Sequence, residues 1–178
     1  MYLETARVRL RDIDVNDEDN LLELDSDPEV MRYLTHGQPS SRAEVQAAIQ
    51  RCLSLQLKHN KRFGVWAAIE KNSGQFMGWF LFRPCRKDPD NIKRIELGYR
   101  LKRVYWGQGY ATEVAKELIA KGFAELGVDE VFAVTMKTNL GSQAVMRKAG
   151  LTFVREFQNP EEPDSDIPEV EYAIVRGN

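Results

Sequence analysis

The segment of this chain best equipped for chemistry runs Gly98-Tyr99-Arg100-Leu101-Lys102-Arg103-Val104-Tyr105-Trp106-Gly107-Gln108-Gly109-Tyr110-Ala111-Thr112-Glu113. It reads as a strand, then a glycine-rich turn, then the start of a helix. Backbone N–H groups at such a start have no acceptor within the helix and lie at the positive end of its dipole, so they form a site for an anion such as a pyrophosphate. Gly107 and Gly109 carry no Cβ, which lets the chain come close to a ligand.

Two well-known phosphate loops do not fit these residues. A P-loop places a lysine directly after its second glycine, and none follows here. A Rossmann fingerprint wants a third Gly or Ala where Thr112 stands and an acid at the end of the next strand, whereas Asp129 and Glu130 precede that strand. Dinucleotide binding is therefore a weak reading of this turn.

The elements that must position the turn are written in the local patterns. Arg7–Arg11 alternates polar and apolar residues, the period of a half-buried strand. Asp17 stands ahead of Leu21, Leu22 and Leu24, and Asp27-Pro28 supplies an N-cap and a first helical residue, so two short helices follow. Ser41 and Glu44 form a capping-box pair ahead of a longer amphipathic helix that runs to about Leu57. Phe63–Ile69 and Phe76–Phe82 read as a hairpin across Lys71-Asn72-Ser73-Gly74, and Ile95–Tyr99 resumes the strand period with a bulge expected at Gly98. The helix after the turn closes at Gly127, a strand spans Val131–Met136, and Asn139 caps a helix that stops at Gly150. Leu151–Phe157 and Val170–Val175 are the last strands, separated by an acidic, proline-containing loop. The order is β-α-α-β-β-β-α-β-α-β, one mixed sheet flanked by helices in an α/β (α+β) chain, with no repeat and no linker across residues 1–178.

Composition narrows the function classes. A hydrophobic fraction of 43% and a charged fraction of 29% belong to an ordinary packed globule rather than a disordered chain. Lys plus Arg, 25, nearly balances Asp plus Glu, 27, and no basic run stands out, which argues against a nucleic-acid partner. The longest apolar stretch, Phe63–Ile69, falls far short of a bilayer crossing, and the first residues lack a signal-peptide core, so the expectation is a cytoplasmic protein with no membrane partner. Cys52 and Cys85 match no metal or redox spacing, are read as reduced thiols, and no metal is expected.

Trp106-Gly107-Gln108-Gly109-Tyr110-Ala111-Thr112-Glu113, followed by Asn139-x-x-Ser142-x-x-Val145-Met146-Arg147-Lys148-Ala149-Gly150-Leu151, resembles the acetyl-CoA signature of the GNAT N-acetyltransferases. The opening T-x-R-V-R-L-R-D, the D-P-E-V-M-R-Y-L block and the I-E-L-G-Y strand are similar to the Rim-type enzymes of that family, which acetylate the N termini of ribosomal proteins. The likeness covers nearly the whole chain. It implies a mixed, mostly antiparallel sheet and acetyl-CoA as cosubstrate. It further implies a primary amine as acceptor, a ribosomal-protein N terminus or a small amine such as an amino acid, polyamine or amino sugar, in a monomer or homodimer. An acyl-CoA sensor without catalysis is the alternative of a different class.

Carried over residue by residue, the resemblance assigns the cofactor to Leu101, Arg103, Val104, Trp106, Gly107, Gln108, Gly109, Tyr110, Ala111, Thr112, Asn139 and Ser142. Trp106 replaces the family's usual Gln or Arg, and Arg103 is read either as a substitute charge for the phosphates or as a solvated strand-end cation. In the family, the strand before the turn splays from the next one and the pantetheine arm lies in the gap; here those strands are Ile95–Leu101 and Val131–Met136. Asn139 and Ser142 match groups that contact the pantetheine and thioester end, with helix capping as their ordinary alternative.

The chemistry needs a neutral amine, a polarised thioester carbonyl and a proton for the departing thiolate. The resemblance puts Glu96 beside the reaction centre as the base, with burial expected to raise its pKa; the competing reading is a structural salt bridge with Arg94 or Arg100. Many GNAT enzymes carry a proton-donating Tyr seven residues after the motif Asn, where this chain has Met146, so Ser142 becomes the candidate acid. Specificity is expected in the first helices, in Thr35–Pro39 and in the hairpin at Trp79 and Phe80. The acidic loop Glu161–Asp166 is read as a solvated segment or an attractor of cationic substrate, and His36 as solvated.

Overall fold

Strand alternation determines where the core sits. The computed structural model describes residues 1–159 and 166–177. Along the hairpin of β3 (Gly64–Glu70) and β4 (Phe76–Pro84), Trp66, Ala68, Phe80 and Phe82 face one side of the sheet, while Val65, Ala67, Trp79 and Leu81 face the other. Each side is then covered by helices. The first packs against Val114, Leu118 and Met146 of α4 (Tyr110–Glu125) and α5 (Leu140–Lys148), and the second against Leu21, Leu24, Val45 and Ile49 of α1 (Glu18–Ser26) and α3 (Arg42–Lys58). Between α1 and α3 lies the four-residue α2 (Pro28–Met31).

The remaining strands are β1 (Leu3–Glu4), β2 (Val8–Asp12), β5 (Arg94–Leu101), β6 (Glu130–Met136), β7 (Thr152–Phe157) and β8 (Glu169–Val175). They form an eight-stranded sheet in the order β1-β2-β3-β4-β5-β6-β8-β7. Among the described strands only β5 and β6 pair in parallel; the other neighbours are antiparallel. Beyond the elements expected from sequence, the described residues add the two-residue edge strand β1; the third helix before the hairpin and the second final strand, missing from the condensed order, stand where the local patterns place them.

The local capping chemistry holds at most helix ends. The Asp27 carboxylate accepts from the Glu29 amide with Pro28 in the first turn, and Ser41 and Glu44 cap each other's backbone. Gly127 and Gly150 follow α4 and α5 with φ of 69° and 99°. At α1 the helix starts directly after Asp17, as expected, but without a side-chain cap bond. Asp14 caps a 3-10 turn at Val15–Asp17, and the Asp17 carboxylate, 2% exposed, instead takes two 2.7 Å hydrogen bonds from the Arg11 guanidinium. The bidentate cation is the stronger partner for a buried carboxylate than helix amides are.

The bulge is also displaced. Gly98 pairs in register with Leu81, and the irregularities fall instead at Ala68/Ile69 of β3 against β4 and at Phe153/Arg155 of β7 against β8. The glycine that the sheet requires is Gly78, with φ 145°, because a Cβ there would lie 2.0 Å from the Arg100 carbonyl oxygen. Among the described residues, no helix is long and apolar enough to cross a membrane.

Candidate active site

β5 and β6 share three rungs only, Arg94↔Glu130, Ile95↔Val131 and Glu96↔Phe132. Beyond them β5 stays paired with β4 as far as Leu101, and β6 stays paired with β8 as far as Met136, so the two strands part, with no backbone partner on their facing edges among the described residues. A gap in a sheet with unpaired N–H and C=O groups on its rims is a docking place for an extended, amide-bearing chain. This is the splay expected between the two strands.

At the end of β5 the chain passes through a 3-10 turn at Arg103–Tyr105 into the glycine turn. Gly107 and Gly109 have φ of 72° and 82°, left-handed values that glycine adopts without strain, and a Cβ on Gly107 would meet open space within 4 Å. The Trp106 amide is spent on the Arg103 carbonyl, which removes it from the expected set of ligand donors. The amides of Gly107 to Thr112 have no hydrogen-bond acceptor among the described residues, and the first bond into the helix is Glu113 N–H to the Gly109 carbonyl at 2.9 Å. These donors at an open helix start suit the pyrophosphate of coenzyme A, so the residues present fit that cosubstrate.

The side chains around the turn are largely engaged by the fold. Trp106 Nε1 donates to the Leu101 carbonyl at 2.7 Å and Gln108 Nε2 to the Val104 carbonyl at 2.6 Å. The Leu101 side chain is in the core, Val104 is exposed, Ala111 packs against the core, and Tyr110 meets Tyr105 edge to face. The exposed Arg103 lies 3.5 Å from Asp27, turned toward α2. A shallow cavity of about 280 Å³ between α1, α2 and Lys102–Tyr105 includes Glu23 and Asp27, whose charges would repel phosphate, and it lies off the glycine turn.

The other wall of the gap is the start of α5. Asn139 Oδ1 accepts from the Ser142 amide at 3.1 Å, the capping role expected of it. Tyr99, which sequence reading left out of the site, brings its hydroxyl within 3.3 Å of Ser142 Oγ. Its signal was present as an aromatic at alternate spacing on the strand leading to the turn. Burial pushes the Tyr99 pKa up to about 12, against a smaller lowering by the Ser142 bond. Met146, at the position of the usual tyrosine, is 4% exposed and belongs to the core.

Glu96 occupies the last shared rung, on the face opposite Tyr99. Its Oε2 accepts from Arg83 Nε and Nη2 at 3.2 and 2.9 Å, while Oε1 receives no hydrogen bond among the described residues. The salt bridge is thus with Arg83, directly across β4, and not with Arg94 or Arg100. Arg94 is bound to Glu130 and Glu171, and Arg100 to Asp25.

Of the expected specificity residues, Phe80 is 1% exposed and confined to the core, and Trp79 packs beneath the Arg100 guanidinium. Asp25 also accepts from Ser40 at 2.8 Å, which ties the end of the Thr35–Pro39 loop to α1. His36 is exposed in that loop with φ 54°. The acidic loop lies outside the described residues from Glu161 to Ser165.

Residues 7–152 match the family described as the acetyltransferase (GNAT) domain. The chain is 35% identical over 184 residues to an Aspergillus fumigatus protein named FsC-acetyl coenzyme A-N(2)-transacetylase, covering 98% of this chain and 76% of that protein. In fold it is similar to a GNAT-family acetyltransferase from Bacillus anthracis, with TM-score 0.84, 21% identity and 98% of each chain covered. It is also similar to RimL, a ribosomal L7/L12 α-N-protein acetyltransferase solved with coenzyme A, with TM-score 0.80, 17% identity, and 98% of this chain and 97% of that one covered.

Proposed function

The chain belongs to the GNAT acetyltransferase family, and from that premise we propose that it transfers the acetyl group of acetyl-CoA to a primary α-amine. The observation that carries the reading is the end of pairing at Glu96, with a carboxylate on one face of the gap and the Tyr99–Ser142 pair on the other. The cosubstrate approaches from the glycine turn with its pyrophosphate on the amides of Gly107 to Thr112, and the acceptor approaches from the face of α1 to α3.

In this reading the amine nitrogen attacks the thioester carbon, the C–S bond breaks, and the amine's proton passes to Glu96 Oε1, directly or through water. Ser142 donates a hydrogen bond to the sulfur as negative charge gathers there, and a proton equal to the one released by the amine ends on the thiol. Free α-amines have pKa about 7.7–8.0 and lysine about 10.4, so an α-amine needs much less help in becoming neutral. Glu96 Oε1, which receives no hydrogen bond among the described residues, is the oxygen available to take that proton.

For the acceptor we favour a protein N-terminal α-amine of the ribosomal class, on the strength of the Rim-type sequence blocks. A second reading is favoured by the 35% identity to the Aspergillus protein, whose name places its acetyl group on an N(2) nitrogen. The deciding experiment measures thiol release from acetyl-CoA against peptides with free N termini, lysine-only peptides with blocked N termini, and small α-amines. Turnover confined to lysine side chains would overturn the α-amine reading, and none with any amine would overturn the transferase.

A further inference from the structure

The cofactor turn is gripped from behind by a residue distant in sequence. Arg7 stands in the short connection between β1 and β2, and its guanidinium reaches both sides of the turn. Nη1 donates to the Gln108 carbonyl at 3.0 Å, and Nε to Glu113 Oε2 at 2.7 Å. The Arg7 amide and the Thr5 hydroxyl both donate to Glu113 Oε1, at 2.9 and 2.6 Å, and the guanidinium lies 4.2 Å from the Tyr110 ring centroid.

In a trans peptide the C=O and the following N–H point in opposite directions. Holding the Gln108 carbonyl toward Arg7 therefore turns the Gly109 N–H away from it, to the open side of the turn. Two left-handed glycines would otherwise leave this peptide plane with wide freedom. Position 106 offers no polar group for this purpose, since the Trp106 indole N–H is occupied by Leu101, and Arg103 points toward Asp27.

We propose that Arg7 is a positioning residue for acetyl-CoA: it fixes the Gln108–Gly109 peptide so that the Gly109 amide faces the pyrophosphate. The inference rests on the acetyl-CoA reading above. Arginine suits this task because one ammonium cannot serve the Gln108 carbonyl and Glu113 in the same fixed geometry as the guanidinium fork.

The test is calorimetric titration of the whole chain with coenzyme A and with dephospho-coenzyme A, which lacks the 3′-phosphate but keeps the pyrophosphate. Arg7→Ala should weaken both by the same factor, about tenfold, the scale of one charge-assisted hydrogen bond. Arg7→Lys, which keeps the charge and most of the stem, should recover little of the loss. KM for acetyl-CoA should rise with kcat nearly unchanged. A loss seen with coenzyme A alone would assign Arg7 to direct contact with the 3′-phosphate and overturn the proposal, as would unchanged affinity in both variants or full recovery in Arg7→Lys. If Arg7→Ala fails to fold, Arg7→Lys alone decides, by losing or keeping affinity. Failure of the unaltered chain to bind either nucleotide would instead refute the acetyl-CoA reading.

Discussion

The Tyr99 hydroxyl on β5 lies 3.3 Å from Ser142 Oγ on α5, so a side-chain contact joins the two elements that flank the gap between β5 and β6. With its pKa raised to about 12, the phenol is a poor proton source for a thiolate. Against a thiol near 8.5, the transfer would be uphill by roughly 3.5 pK units, or about 5 kcal/mol. Tyr99 is better suited to donate a hydrogen bond to Ser142 Oγ, which leaves the serine's own O–H free for the role proposed for it at the thioester sulfur.

Ser142→Ala should therefore lower kcat by roughly 10–100-fold, and Tyr99→Phe by a smaller factor, about 3–10-fold, with acetyl-CoA affinity little changed in both. Steady-state kinetics with direct binding measurements check the split. Because fold burial favours the protonated phenol, that contribution to stability is complete below about pH 10 and is lost as pH rises through about 12. The pH–rate profile from 6 to 9 should thus have the same shape in Tyr99→Phe as in the unaltered chain.

Replacing Gly109 with Val should weaken coenzyme A binding at least tenfold, as read by calorimetry. The left-handed backbone at φ 82° disfavours a β-branched residue; the added Cβ itself would make only an ordinary contact, 3.6 Å, with the Arg7 guanidinium, so the strain is in the backbone. Equal affinity in the variant would move the pyrophosphate away from this helix start.

How far the sequence reaches depends on how far apart the partners are. Asp27-Pro28, Ser41 with Glu44, Gly127 and Asn139 carry their structural meaning within a few residues, and all are legible. Asp17 sits in a pattern equally suited to capping, and only the strand neighbour Arg11 decides its use. Arg83 cannot be assigned to Glu96 until the register of β4 on β5 is known, nor Arg7 to Glu113 until the first hairpin is seen against α4. The length of the β5–β6 ladder, which opens the site, is a property of the whole sheet and leaves no mark on either strand's alternation.

The pair of buried Asp17 and half-buried Arg11 should give a pH-dependent share of stability. Burial pushes the Asp17 carboxyl up, but the bonds from Arg11 and from the Asp14 amide outweigh it and hold the pKa below the usual aspartate value. A depressed folded pKa contributes stability above the unfolded value, near 4, that is lost as pH falls through the folded one. Asp17→Asn should cost about 1–3 kcal/mol at pH 7, a range reduced because Arg11 is more than a third solvated. Urea unfolding at pH 7 and at successively lower pH should show the gap narrowing as the medium becomes acidic.

Glu96 is the test of the catalytic reading itself. Glu96→Gln keeps the shape and can still accept from Arg83 through its amide oxygen, so the β4–β5 register and the fold should survive. What disappears is the carboxylate oxygen free to receive a proton. General base catalysis contributes about 10²–10⁴-fold, and the loss should fall on kcat/KM with acetyl-CoA affinity nearly intact. The deficit should shrink from pH 6.5 to pH 9, because an α-amine of pKa about 7.7–8.0 then arrives already neutral, whereas a lysine substrate would keep most of the deficit across that range. Near-normal turnover of Glu96→Gln at pH 6.5 would leave the Arg83–Glu96 pair as a structural tie between β4 and β5 and transfer the proton to water.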